Sequence, residues 1–311
     1  MIKDGDRGNC GVRENQNGKL ISLVYGKPVS INLDPIEKKP LYHFLPGEDT
    51  LSFGTAGCNL HCMYCQNWEI SQCKPEKFHI KEVLPEQIVK ECKADESRII
   101  SYTYTEPTIF YEYMSDTANL ASKNKLRNVM VSNGFINQIP LKKLMPLLDA
   151  ANIDLKGNDK YYKKVTGAWI EPVQNALIAL KKKKVWLELT NLIVPTLNDS
   201  EKQIKWLAEW VYDNLGENVP LHFSAFWPTY KLKQLPSTSL EKLKKAREIA
   251  MKKLNYVYVG NVNFDEGNTT FCPGCKKAVI KRGGFYITQN LLKETGGKCP
   301  YCNEKIAGIW K

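Results

Sequence analysis

Between residues 51 and 259 the chain alternates short strand-like runs with longer stretches of helical apolar spacing. That alternation restricts it to the α/β class, with parallel βαβ units. The strand-like runs are 51–55, 98–104, 128–132, 151–156, 185–193, 221–226 and 256–259. Helical spacing covers 85–94, 107–122, 138–148 (interrupted near Pro146), 173–183, 200–214 and 240–253. Pro85 suits a first helical turn, and Ser200, preceded by Asp199, suits an N-cap. Six or seven such repeats stop short of a closed eight-fold barrel. No repeat is visible at the residue level, which excludes a solenoid.

The flanks differ from this middle. Residues 21–27 and 29–32 read as a short hairpin turning at Gly26-Lys27. Pro35, Pro40 and Pro46 forbid a long helix over 34–47, so that stretch is expected to be extended and wrapped. The division is then an arm at 1–50, a barrel at 51–262 and a cysteine-bearing module at 263–311, entered through the polar joint 263–268. The module has too few apolar residues to fold without a metal.

Cysteine placement carries the chemistry. There are 10 cysteines. No run of about 18 apolar residues spans a membrane, and residues 1–7 lack the apolar core of a secretion signal. A cytoplasmic protein is expected, with thiols used for metal rather than disulfides. Cys58, Cys62 and Cys65 form a C-x₃-C-x₂-C array. Thiolates suit zinc, copper(I) and iron–sulfur clusters. A structural all-cysteine zinc site or a fully ligated cubane needs four ligands, so three leave a position open. Cys272, Cys275, Cys299 and Cys302 make two C-x₂-C knuckles, the pattern of a tetrahedral site for zinc or, second, a rubredoxin-like single iron. Cys10, Cys73 and Cys92 stand apart as ordinary small residues.

In βα folds functional groups gather at the C-terminal ends of strands. Glu106, Ser132, Asn133, Asp154, Lys156, Thr190, Asn191 and His222 fall at or near such ends, on the rim that carries the cysteine array. The net charge of +11 comes mainly from lysines spread over helical stretches, including Lys181 to Lys184. It reads as a solvated face. A metal-stabilised RNA-binding module is the alternative from another class, and diffuse lysine does not require it.

The stretch from Asp34 to Ser71 resembles radical S-adenosylmethionine (SAM) enzymes of the AmmeMemoRadiSam type, relatives of the pyruvate formate-lyase-activating enzymes. Tyr64 before Cys65, Tyr104-Thr105-Glu106-Pro107, Ser132-Asn133-Gly134, Asp154-Leu155-Lys156, Pro195 to Asp199 and Pro228 to Leu232 extend the likeness over nearly the whole chain. The resemblance implies a partial (β/α)₆ barrel with an N-terminal arm and a C-terminal Cys₄ ribbon. It implies a [4Fe–4S] cluster on Cys58, Cys62 and Cys65, whose fourth iron binds SAM. Tyr64 would back the adenine and Glu106 would face the SAM amino group. Ser132, Asn133, Asp154 and Lys156 would meet its ribose or carboxylate, with Thr190, Asn191 and His222 lining later strand ends. The activity implied is reductive cleavage of SAM to a 5′-deoxyadenosyl radical that takes hydrogen from a substrate, or from a glycine of a partner protein. The partners implied are a ferredoxin or flavodoxin as electron donor, and Memo-like and AMMECR-like proteins. Val131-Ser132 replaces the Asp-Thr pair of the formate-lyase activators, which puts their monovalent-cation site in doubt.

Overall fold

The computed structural model describes residues 2–311. The chain opens with an antiparallel hairpin, β1 (Arg13–Gln16) and β2 (Lys19–Ser22). The main sheet follows in chain order: β3 (Pro28–Pro35), β4 (Asp49–Thr55), β5 (Ile99–Tyr102), β6 (Arg127–Ser132), β7 (Ala150–Asp154), β8 (Trp186–Ile193), β9 (Leu221–Ala225) and β10 (Val257–Gly260). β4 to β10 are parallel, and β3 runs antiparallel along β4. The helices Pro85–Ala94, Tyr111–Lys123, Gln138–Leu144, Glu171–Lys182, Glu201–Leu215 and Leu240–Ala250 make the crossovers. Ser200 caps its helix as its sequence position implies, accepting from the Gln203 amide.

Side chains alternate across a strand, and here the two faces differ in chemistry. Phe53, Tyr102, Met130, Ile153, Leu189 and Phe223 are buried in the apolar core that takes in the helices. The opposite, inward face carries Thr50, Ser52, Ser101, Asn152, Asp154, Glu188, Thr190 and Ser224 beside the apolar Val131; Ser52 pairs with Ser101, Asn152 with Val131 and Glu188, and Asp154 with Thr190. The inner wall of the sheet above its apolar floor is therefore largely polar.

One end of this lumen is plugged. Ile36, Leu41, Phe44 and Leu45 pack against Ile99, Val129 and Ala150, near the N-terminal ends of their strands. The plug hangs on Glu188, whose carboxylate accepts from the amides of Tyr42 (3.0 Å) and His43 (2.7 Å) and from the Trp186 indole (3.0 Å). The His222 ring lies 2.7 Å from the same carboxylate. Burial works against the Glu188 charge, but His222 and these donors hold its pKa below the ordinary carboxylate value.

The C-terminal strands β11 (Thr270–Phe271), β12 (Ala278–Gly283) and β13 (Tyr286–Asn290) form an antiparallel sheet beneath the plug. Arg282 reaches from β12 and donates to the Tyr42 carbonyl (2.7 Å), the Asn268 carbonyl (3.0 Å) and Thr270 Oγ1 (3.0 Å). Its guanidinium lies 4.1 Å from the Tyr42 ring centre, a cation–π contact. Ile309 pairs with His43 and Leu45 through backbone bonds of 2.7 Å. The module thus braces the lumen floor.

His43 sits at that junction with no exposed surface. Its Nδ1–H donates to the Ala307 carbonyl (2.6 Å), so Nε2 accepts from the Tyr258 hydroxyl (2.5 Å) and the ring is neutral. Burial lowers its pKa to about 4. The unfolded chain takes up that proton near 6.5, so the contribution of His43 to stability is complete above this value. It declines by up to about 3 kcal/mol as pH falls toward 4. An NMR titration should give a midpoint near 4 for His43, and one near 6.5 would contradict the assignment.

Two expectations need correction. The hairpin at 21–32 does not form. The turn falls at Asn17 (φ 54°) and Gly18 (φ 79°), an Asn-Gly pair in the left-handed conformations that two-residue hairpins favour. β3 pairs with β4 instead, where Pro28 is tolerated at the start of an edge strand. The arm is consequently part of the main sheet rather than a separate cap. The helix expected at 107–122 begins as a 3₁₀ turn over Pro107–Phe110 and turns α at Tyr111, because Glu106 caps the Thr108 amide at its start.

Candidate active site

The loop after β4 carries Cys58, Cys62 and Cys65, and three neighbouring loops hold it. The His61 and Met63 amides donate to the Thr166 (2.9 Å) and Val165 (3.0 Å) carbonyls beyond β7. The Lys231 amide beyond β9 donates to the Met63 carbonyl (3.0 Å), and Tyr230 stacks on Trp68 at 5.3 Å. Asn133 beyond β6 donates to Asn59 Oδ1 (2.8 Å), and Asn59 donates to the Phe135 carbonyl (2.8 Å). Gly57 admits no side chain: its φ is +93°, and a Cβ would lie 2.7 Å from the Cys10 carbonyl oxygen.

The sulfurs are not gathered for a single ion. Among the described residues, the one group of three or more metal-ligating atoms within 4.8 Å of one another is at the C-terminus. Three thiols spread more widely fit the separated corners of an iron–sulfur cube. Burial pushes the Cys58 thiol up, and the Cys62 thiol up to about 11. Such thiols become thiolates only against a positive metal, so the donor set fits a cluster.

Glu106 is fully buried where β5 ends. It accepts from the Thr108 amide (3.0 Å), Thr108 Oγ1 (2.7 Å), Ser132 Oγ (2.7 Å) and the Asn133 amide (2.8 Å). Burial raises its pKa against these donors. Here it ties the ends of β5 and β6 together beside Cys58, to which Asn133 Nδ2 points at 3.7 Å. Lys156 pairs with Asp154 at 2.6 Å. Burial disfavours the lysine charge, but Asp154 outweighs it and raises the pKa. The segment bearing Lys156 is held by Asn198 (2.9 Å to the Lys156 carbonyl) and Asn191 (2.6 Å to the Leu155 carbonyl). Thr190 stands on the inner wall and donates to Asn152 Oδ1 (2.9 Å).

Tyr64 and Tyr161 have buried hydroxyls with no hydrogen-bond partner. Their ring centres are 6.4 Å apart, and Lys156 Nζ lies 5.7 Å from the Tyr64 centre. A polar ligand bound here would give these hydroxyls partners, which fits a nucleoside-bearing cofactor. Tyr161 was not legible in sequence; the only hint was a pair of aromatics, Tyr161-Tyr162, amid lysines after a strand end. His222 does not belong to the rim. It lies near the start of β9, bonded to Glu188 and edge-on to Tyr42 at 4.7 Å. Its role is to hold the floor.

Residues 53–211 match the radical SAM superfamily. The chain belongs to that superfamily. It is 46% identical to the uncharacterized Methanocaldococcus jannaschii protein MJ0808, over 98% of this chain and 92% of that one. It is 24% identical to the pyruvate formate-lyase-activating enzyme of Clostridium pasteurianum, over 64% of this chain and 89% of that one. Among solved structures, a radical SAM methyltransferase from Sphaerobacter thermophilus shares the fold at 14% identity and a TM-score of 0.55, covering 68% of this chain and 66% of that one. In this radical SAM enzyme the cysteine loop follows the C-terminal end of β4, at the opposite end of the strands from the plug.

The second cysteine group is built differently. Cys272 and Cys302 sulfurs are 3.5 Å apart, and those of Cys275 and Cys299 3.7 Å apart. Tetrahedral ligands about 2.3 Å from zinc stand about 3.8 Å apart, so the four are arranged for one metal ion. Chelation should remove one ion per chain and expose the β11–β13 amides to hydrogen exchange. Unchanged exchange after complete metal removal would contradict a structural role.

Proposed function

We propose that this radical SAM enzyme splits SAM reductively and directs the resulting radical at a substrate held in the polar lumen. What supports this reading is the three-cysteine loop after β4, whose donor count leaves one cluster position for another ligand, at the strand ends opposite the plug. Cys58, Cys62 and Cys65 would hold a [4Fe–4S] cluster. Tyr64, Tyr161, Lys156, Asp154, Ser132, Asn133 and Glu106 would surround SAM. A cluster held there would, when reduced, supply the electron for breaking the C5′–S bond of SAM, the chemistry that yields methionine and a 5′-deoxyadenosyl radical. The protein's own part is positioning and exclusion of water. The Lys156–Asp154 pair presents charge at the rim, and the Glu188-anchored plug keeps solvent from entering from below. Zinc is our assignment for the four-cysteine site.

The AmmeMemoRadiSam type, a ferredoxin or flavodoxin donor, and Memo-like and AMMECR-like partners complete this reading. A second reading, an activase that installs a glycyl radical on a partner protein, is favoured by the likeness to the Clostridium activating enzyme. Exposed aromatics on the rim, Trp169 (51%) and Trp227 (50%), also favour it, since exposed tryptophans mark binding surfaces. Deuterium moving from a labelled partner glycine into 5′-deoxyadenosine would select it. The primary test is spectroscopic. After anaerobic reconstitution and reduction, the cluster's electron paramagnetic resonance signal should change on adding SAM; an unaltered signal would sink the proposal.

A further inference from the structure

We propose that Lys39 is an imine-forming amine, held between Asp34 and Tyr104 on the lumen wall and directed at the carbonyl of an aldehyde or 2-oxo acid substrate. Lys39 leaves the plug and is 2% exposed. Its Nζ lies 2.6 Å from Asp34 Oδ2 and 4.6 Å from the centre of the Tyr104 ring. A buried lysine beside an aspartate is ordinarily a structural ion pair, but two features argue for more. Asp34 does not depend on Lys39: its other oxygen has Lys38 Nζ at 2.8 Å, and the Tyr104 hydroxyl donates to Oδ2 at 2.5 Å. Lys39 can therefore lose its proton without stranding a buried carboxylate. Tyr104 is also held at φ +66°, in the left-handed region that a bulky residue rarely adopts. That conformation drops its ring from the rim of β5, where the Asn67 side chain holds its carbonyl at 2.6 Å, to the amine near the floor. Asn32, exposed, also donates to the Tyr104 hydroxyl (3.1 Å). The half-buried Tyr104 ring covers the amine, and imine formation would require that ring to be displaced. Burial lowers the Lys39 pKa to about 8 against the pull of Asp34, with Lys38 adding repulsion, which keeps more of it in the nucleophilic form than of a surface lysine.

The step balances without an oxidant. The neutral amine adds to the carbonyl carbon, Asp34 relays the two nitrogen protons to the carbinolamine oxygen, and that oxygen departs as water, leaving C=N. Such an imine would tether the substrate within reach of the rim. The proposal draws on the radical reading only for what happens next, and its test needs neither SAM nor electrons, so the two fail separately. The full-length protein is incubated with glyoxylate and cyanoborohydride, and modified lysines are mapped by mass spectrometry. Lys39 should be labelled on the order of tenfold more than the average lysine. Lys39→Arg should lose that site and keep the others, and Tyr104→Phe should slow Lys39 labelling several-fold. Labelling of Lys39 at or below the average in the wild-type protein would overturn the assignment and leave a structural ion pair.

Discussion

Replacing Cys62 with alanine should abolish 5′-deoxyadenosine formation, a fall of at least about three orders of magnitude, while the protein stays folded. Cys62 is the most enclosed of the three array thiols, 9% exposed. Losing one small buried side chain costs only about 1 kcal/mol, whereas losing one of three thiolates removes the cluster's attachment. Iron per chain should fall from about four to background. The C-terminal metal should stay, because Cys272, Cys275, Cys299 and Cys302 form their own site. Metal analysis with product assay checks both halves. A Cys62→Ala protein keeping more than a tenth of wild-type product would mean that the array does not carry the chemistry.

The second large effect is on stability. Glu188→Ala should lower the unfolding free energy by about 3–5 kcal/mol. The carboxylate is fully buried and gathers the Tyr42 and His43 amides, the Trp186 indole and the His222 ring. Alanine leaves those groups buried without their acceptor. Glu188→Gln keeps the shape and one acceptor oxygen, so it should cost roughly half as much. Denaturant unfolding of both variants is the measurement; equal, small effects from both would show that the plug does not hang on this residue.

The alternation of strand and helix was legible because it rests on periodicity, and the seven parallel strands fall close to where apolar runs place them. The cysteine array and the paired knuckles were legible because metal ligands must be close in space, and short spacing makes them so. What could not be read were features set by contacts between distant residues. His222 looks like a rim residue from strand order, but the register of β8 and β9 sets it above Glu188. Glu106 reads as an open carboxylate, yet Ser132 and Asn133 close around it only once β5 and β6 are side by side. The N-terminal hairpin turns at Asn17-Gly18, a strong turn signal, whereas the alternating run at 29–32 belongs to a strand whose partner, β4, lies further along the chain. Arg282 gave no sign at all: a lysine- and arginine-bearing strand near the C-terminus carries nothing to show that one of its cations enters the lumen floor.

The central claim is that the loop of Cys58, Cys62 and Cys65 is where SAM is cleaved. The most direct measurement is product release by the wild-type protein, reconstituted anaerobically with iron and sulfide and given SAM and a strong reductant. Methionine and 5′-deoxyadenosine should appear in equal amounts and only when all three components are present. A protein with a full complement of iron that yields neither would contradict the claim.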